Sequence, residues 1–262
     1  MQNTALIVFH MARQIIPLKK PDDIKRIRDA GRIAAGIFDE LASSSLESQS
    51  TWEIDSFIDS HIIKSGARSA FKTVRGYNYA SCISVNDEIV HGVPSRKRKL
   101  RSGDIVKVDI GVALYGYFSD SCRTIKVGAV STAAEVLVDA TMKALDRAVA
   151  LMVPGNCLGD IGSAVEKTAE SGGFSVVRSL SGHGTGFSLH EPPVVLNYGD
   201  PGTGVVLVEG MVLALEPIFN EGSGELRFLE NGWTAATGDG RLSAHFEHTV
   251  AVTGKGPVLL TA

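Results

Sequence analysis

DIVKVDIGVALYGYFSD, residues 104–120, sets two acids where an ordinary strand would carry apolar side chains. Ile105, Val106, Val108 and Ile110 form a β-rich run that reads as a buried strand, and Asp109 lies inside it. A lone carboxylate in such a run would be costly. Eleven residues on stands Asp120, and Leu114-Tyr115-Gly116 between the two offers a hairpin bend. With the bend centred on Leu114-Tyr115, Asp109 and Asp120 face each other across an antiparallel pair, their Cβ atoms roughly 5 Å apart. Carboxylates that close repel unless a proton or a cation lies between them. From this stretch alone two readings stand: a divalent-metal site, or two solvated acids at the mouth of a hairpin.

The chain has 262 residues and 44% hydrophobic content, enough to bury a core as one large domain or two fused halves. A net charge of -3 names no partner. The longest early apolar run, Ala5 to Phe9, is too short for a signal h-region, and no stretch approaches a membrane span. Cys82, Cys122 and Cys157 are widely spaced, odd in number and without a CxxC pair. They suit a reduced compartment, so a cytoplasmic protein is expected.

Working outward, residues 1–16 are weakly patterned, and helical spacing begins after Pro21. There Asp22-Asp23 precede Ile24, Ile27, Ile33, Ile37 and Leu41, acids first as a helix dipole prefers. Thr51 to Lys64 is a second amphipathic stretch, closed by Ser65-Gly66, and His61 within it reads as an ordinary histidine. Strand-like segments follow at Phe71–Val74, at Cys82–Val85 and before His91-Gly92-Val93-Pro94. Arg96 to Arg101, RKRKLR, holds five basic residues in six. It reads as a solvated loop, with ribosome or other RNA contact as the functional alternative.

The second half repeats this order. Residues 132–152 and 158–169 read as helices, and Ser171-Gly172 answers Ser65-Gly66 at an offset of 106. Leu207 to Glu216 aligns under Leu100 to Asp109 at an offset of 107, with leucine, glycine, apolar strand and acid coinciding. Glu216 thus takes the second-half position of Asp109. Each half holds one HxxP, His91 with Pro94 and His190 with Pro193, and each has a second acid opening a closing strand, Asp120 and Glu247. The pattern predicts an internal duplication in an α+β fold, with halves of about 21–130 and 131–255 sharing a curved antiparallel sheet with helices outside. Residues 21–262 then form one catalytic domain behind an extension, residues 1–20. A pseudo-twofold would bring Asp109, Asp120, Glu216 and Glu247 together, and four carboxylates in a core need cations.

His183 in Gly182-His183-Gly184-Thr185-Gly186 is the natural nitrogen ligand, because flanking glycines let the imidazole approach a crowded centre. The same segment fails as a phosphate loop: its spacing is GxGxG, and Glu191-Pro192-Pro193 follows where a helix should start. Those prolines also exclude the HExxH reading at His190-Glu191. One histidine with four carboxylates is a mostly hard-oxygen set, suited to Mn, Fe, Co or Zn in a site with two ions about 3.5–4 Å apart. Such a pair makes a hydroxide nucleophile from a bridging water near neutral pH, so hydrolysis is the expected reaction class. His91 and His190 remain as rim histidines able to donate to a developing oxyanion or a leaving nitrogen.

Taken together, Asp109, Asp120, His183, Glu216 and Glu247 in this order, with HGVP before the first acid, GHGTG seven residues before a second histidine, LEP at Glu216 and EHT at Glu247, closely resemble the type I methionine aminopeptidases of the pita-bread metallopeptidase family. The resemblance spans about residues 20–255. It implies that Asp109 chelates one metal, His183 and Glu216 bind the other, and Asp120 and Glu247 bridge both. It also implies substrate contact by His91 near the scissile nitrogen, stabilisation of the tetrahedral intermediate by His190, and Glu216 as proton acceptor from the attacking water. Tyr77, Cys82, Trp233 and Phe71 would line the pocket for the methionine side chain. Val74 and Leu189 stand where the family often has aromatics, which alters the expected shape of that pocket. Asn86 and Ser243 match positions that hold a monovalent cation in some relatives. The 33 residues from His183 to Glu216 leave no room for the helical insertion of type II enzymes. Peptide and nascent-chain N-termini, cut where the second residue is small, are the expected substrates, for a monomeric enzyme.

Two other readings share the fold. An Xaa-Pro dipeptidase or aminopeptidase would use the same five ligands, usually behind a large additional N-terminal domain. A non-catalytic binding protein on this fold usually loses ligands, and this chain keeps all five.

Overall fold

The computed structural model describes residues 15–262; the run Ala5–Phe9 and the first part of the expected extension lie outside the described residues. Four helices come in two pairs: α1 (Pro21–Ser43) with α2 (Thr51–Lys64), and α3 (Thr132–Ala150) with α4 (Leu158–Gly172). Local chemistry starts each one. Pro21 opens α1, and Asp23 accepts from the Lys20 amide at 2.9 Å. Ser50 and Glu53 cap α2 reciprocally, each side chain accepting from the other's amide at 3.2 and 2.7 Å. Ser131 caps α3, and Asp160 accepts from the Cys157 amide at the start of α4.

After the first helix pair come β1 (Arg68–Ser69), β2 (Cys82–Val85), β3 (Glu88–Val90), β4 (Ile105–Leu114) and β5 (Tyr117–Lys126). After the second come β6 (Ser175–Val176), β7 (Ser181–Gly184), β8 (Glu191–Leu196), β9 (Val212–Leu215), β10 (Ile218–Asn220), β11 (Leu226–Phe228), β12 (Ala235–Thr237), β13 (Ser243–His245), β14 (Glu247–Thr253) and β15 (Gly256–Leu259). The main sheet is antiparallel and runs β1-β4-β5-β14-β9-β7-β8, with β2 also on β4 and β15 also on β14. Its middle is a palindrome: β4-β5 from one half meet β14-β9 from the other, and the halves join between β5 and β14. Two small sheets, β11-β12-β3 and β13-β10-β6, flank it.

Strand alternation divides the main sheet into two faces. Val106, Val108, Ile110 and Val112 of β4 pack with Phe38, Leu41, Ile54, Ile58 and Ile62 of α1 and α2. Leu213 and Leu215 of β9 with Val250 and Val252 of β14 pack with Leu137, Leu145, Ile161 and Val165 of α3 and α4. Helices therefore cover one face of a curved sheet, as the α+β expectation required. The intervening positions, Asp109 among them, are left for the other face.

Two local expectations need correction. The β4–β5 bend lies one residue later than expected: Leu114 pairs with Tyr117, and Tyr115 and Gly116 both take positive φ, 50° and 85°. That two-residue turn follows the twist of the hairpin. Asp109 consequently opposes Cys122, and Asp120 opposes Gly111. The two acids share a face on a diagonal and do not stand directly opposite. Phe71–Val74 is also not a strand; Phe71–Thr73 is a 3₁₀ turn, closed by Val74 N–H on the Phe71 carbonyl and by Thr73 Oγ1 on the Ala70 carbonyl. The turn swings the Phe71 ring over Gly111, where a Cβ would come within 2.7 Å of it.

Helix α1 crosses the chain's last described segment at Gly31, where a Cβ would fall 2.0 Å from the Leu260 carbonyl oxygen. Backbone cannot yield there cheaply. Gly31→Ala is expected to cost about 2–3 kcal/mol, seen as a fall of about 5–10 °C in the thermal midpoint. An unchanged midpoint would show that α1 does not dock in this way.

Candidate metal centre

Strand register builds the site as two neighbouring rows. In the first, Cys82 of β2 pairs with Asp109, Asp109 with Cys122, and Cys122 with Glu247. Continuing the His248–Leu215 pairing one step sets Glu216, just past β9, beside Glu247. In the second row, His183 pairs with Ala214 and Ala214 with Thr249. Thr249 Oγ1 then clasps Asp120, accepting from its amide at 2.9 Å and donating to its carbonyl at 2.8 Å. All five expected ligands thus come to one patch of the uncovered face. Asp120, His183 and Glu247 each offer a donor atom within 4.8 Å of the others. His183 Nε2 lies 3.7 Å from Glu216 Oε1 and 3.9 Å from Asp120 Oδ2.

The tautomer of His183 follows from its other nitrogen. Nδ1 lies 2.9 Å from the Gly184 carbonyl, which can only accept, so Nδ1 carries the proton and Nε2 presents its lone pair to the carboxylates. Burial first, then the charge of Asp120, pushes Asp109, Glu216 and Glu247 well above the usual carboxylate range, and burial raises Asp120 to about 7. Burial, with His190 close by, lowers His183 to about 4. Asp109 Oδ1 and Glu247 Oε1 are sealed from solvent without a hydrogen-bond partner, and among the described residues no lysine or arginine pairs with any of the four acids. Orphaned buried carboxylate oxygens around one imidazole are the donor set of a divalent metal, and the residues fit one.

One member of the neighbourhood escaped the sequence reading. His245 lies 3.9 Å from Glu216 Oε2, is fully buried, and has no partner on either ring nitrogen. Burial lowers it to about 3. Its only sequence signal is a position two residues before Glu247, and that signal is weak.

The cluster floors a cavity of about 720 Å³. Phe71, Tyr77, Cys82 and Trp233 line it as expected, and Val74 and Leu189 complete the wall in place of aromatics. Tyr77 and Trp233 meet edge to face, 5.1 Å between centroids. Asp55 of α2 holds the segment below them, accepting from the amides of Ala80 and Ser81 and from Ser81 Oγ. His190 reaches the rim with its ring 4.4 Å from that of His183. His91, at φ 56°, also lines the cavity, its carbonyl accepting from Thr234 Oγ1. Neither is placed among the carboxylates.

Other expected residues lie outside the centre. His61 binds the Phe57 carbonyl and neighbours Glu40. In RKRKLR, Leu100 is buried, the basic residues are exposed, and Arg96 stacks 3.3 Å over Trp52. The carbonyls of Asn86 and Ser243, expected to hold a monovalent cation, both accept from the Lys107 ammonium, at 2.6 and 2.9 Å.

The chain matches metallopeptidase family M24 over residues 25–254. It is 41% identical over 247 residues to the methionine aminopeptidase of Clostridium perfringens, covering 94% of this chain and 99% of that protein, and equally identical to methionine aminopeptidase 1 of Bacillus subtilis over the same shares. The crystal structure of methionine aminopeptidase from Thermotoga maritima superposes with a TM-score of 0.92 at 40% identity, covering 94% of this chain and 99% of that one. The prolidase of Pyrococcus furiosus superposes at 0.75 and 25% identity, covering 94% of this chain but 65% of that one.

The shifts above fix a sign. Carboxylates with raised pKa keep protons in the folded protein that the unfolded chain has released, so they destabilise the fold as pH rises. Below about pH 6.5 the lowered histidines oppose them, being neutral when folded and charged when unfolded. Above that the histidines are neutral in both states and no longer oppose the carboxylates. Metal-free protein is expected to lose stability as pH rises from about 6.5 to about 7, where Asp120 still holds its proton only in the folded state. Added Mn²⁺ or Co²⁺ is expected to release protons in weakly buffered solution and to raise the thermal midpoint more at about pH 8 than at pH 6. Metal binding without proton release would contradict a protonated cluster.

Proposed function

The chain belongs to metallopeptidase family M24, as a type I methionine aminopeptidase of the pita-bread fold and a metal-dependent hydrolase, and we propose that it removes the N-terminal initiator methionine from peptides and nascent proteins whose second residue is small. The observation that carries the reading is the convergence of Asp120, His183 and Glu247, with Asp109 and Glu216 beside them, at the floor of an apolar pocket. In this reading residues 21–262 act as one catalytic unit behind the 1–20 extension, as a cytoplasmic monomer, and the exposed basic residues of Arg96–Arg101 supply contact with the ribosome.

Asp109 would hold one divalent ion, His183 and Glu216 a second, and Asp120 and Glu247 both; cobalt, manganese, iron and zinc all suit this donor set. When bound, such a pair supplies Lewis acidity, making a water acidic near pH 7 and polarising a carbonyl. The chain's own groups do the rest. Glu216 accepts the proton of the attacking water and passes it toward the nitrogen of the breaking peptide bond. His190 and His91 are exposed at the rim, yet the loss of hydration beside the cavity wall still holds both below the usual imidazole range, so each is neutral at pH 7 and can donate one hydrogen bond. His190 serves the oxygen that gains charge, and His91 the scissile nitrogen. The wall formed by Phe71, Tyr77, Cys82 and Trp233, with the aliphatic Val74 and Leu189, suits an unbranched thioether, which gains from sulfur–aromatic contacts.

The Xaa-Pro reading is tested by the same assay. Metal-replete protein is expected to release methionine from Met-Ala-type peptides and to leave Xaa-Pro peptides intact; the reverse preference would replace the methionine reading. Asp109→Ala or Glu247→Ala is expected to lower kcat/KM more than about 10³-fold, and His190→Ala about 10²–10³-fold chiefly through kcat. Full activity in either ligand variant would refute the assigned ligand roles.

A further inference from the structure

Lys107 is the buried charge that this chemistry does not use. It lies on β4 two residues before Asp109, is 1% exposed, and among the described residues pairs with no carboxylate. A buried ammonium without a counter-ion is costly, so its surroundings must compensate. They do so with main-chain oxygens. Nζ donates to the carbonyl of Asn86 at 2.6 Å and to that of Ser243 at 2.9 Å. Carbonyl oxygens converging on a dehydrated single charge are how proteins bind potassium and sodium.

Both acceptors are rigidly held. Asn86 stands at φ 55° in the bend between β2 and β3, its amide donating to the Ile105 carbonyl, its side chain accepting from the Ile105 amide and donating to Asp104. Its carbonyl also accepts from the Ser243 amide. Ser243 is fully buried and opens β13, which leads through His245 to Glu247. His245 in turn exchanges two hydrogen bonds with Thr124 of β5. One ammonium thus ties a bend of the first half to the segment of the second half that delivers Glu247.

We propose that Lys107 is a built-in monovalent cation: its ammonium holds the Asn86 and Ser243 carbonyls together as a bound potassium or sodium ion would, so that assembly of the centre needs no such ion. Lys107 is then a positioning residue, acting on Glu247 through β13. The proposal concerns how the centre is assembled and does not depend on which peptide is cleaved.

Chemical rescue tests it. Thermal melting of metal-free and Mn²⁺-loaded protein, and peptide turnover, would be compared in tetramethylammonium chloride and in potassium chloride at equal ionic strength. The native chain is expected to be indifferent to the exchange. Lys107→Ala, which opens space beside the same two carbonyls, is expected to melt about 5–10 °C lower in tetramethylammonium and to recover at least half of the loss, together with turnover, in potassium or methylammonium. Lys107→Met fills the volume without charge and is expected to melt low and to ignore potassium. It decides the matter if the alanine variant does not fold. A native chain that itself requires potassium, an alanine variant folded but unresponsive to every monovalent cation, or a methionine variant equal to native in melting and turnover would each overturn the proposal. Loss of peptide turnover in all proteins, with the salt response of melting intact, would instead count against the proposed substrate alone.

Discussion

Four carboxylates converge on one buried imidazole, and water cannot reach two of their oxygens. In the folded chain that arrangement has only two remedies, protons or multivalent cations. Protons produce an inert cluster of neutral acids; divalent ions produce charge where a peptide carbonyl can meet it. The rest of the molecule is arranged to make that choice unavoidable. Helices α1 to α4 cover one face of the sheet with aliphatic side chains, leaving the acids on the other face with one another and the cavity.

The precision of the cluster comes from hydrogen-bonded register, which fixes positions to a fraction of an ångström where side-chain packing alone would not. Two adjacent rows across the sheet carry every ligand. In the first, Cys122 stands between Asp109 and Glu247, with Glu216 beside Glu247; in the second, Ala214 and Thr249 stand between His183 and Asp120. A one-residue slip of β14 against β5 would move Glu247 to the helical face. The palindromic middle of the sheet gives β4 and β9, and β5 and β14, corresponding places on either side of the seam.

Most of the centre was legible because a carboxylate inside an aliphatic run is rare and the rarity occurs twice at an offset of 107. Glycines around His183 carried the nitrogen ligand in the same way. The β4–β5 register was misjudged because the turn places Tyr115, an unusual residue for positive φ, at its first corner. Phe71 looked like strand because it is aromatic, yet β1 pairs for two residues only before Gly111 admits its ring. His245 and Lys107 were invisible as actors. Lys107 falls in the repeated stretch opposite an alanine, Ala214, His245 has no matching histidine, and what matters about each is contact with residues more than a hundred positions away, which no local pattern encodes.

The seam between β5 and β14 has a consequence for biosynthesis. Asp109 and Asp120 precede Glu247 by well over a hundred residues, and β14, which carries Glu247 and joins β5 to the second half, is made after every other described strand that bears a ligand. An interrupted chain therefore carries half a cage, with acids that no ion can bridge to the missing half. The complete ligand set therefore exists only once residue 247 has been made.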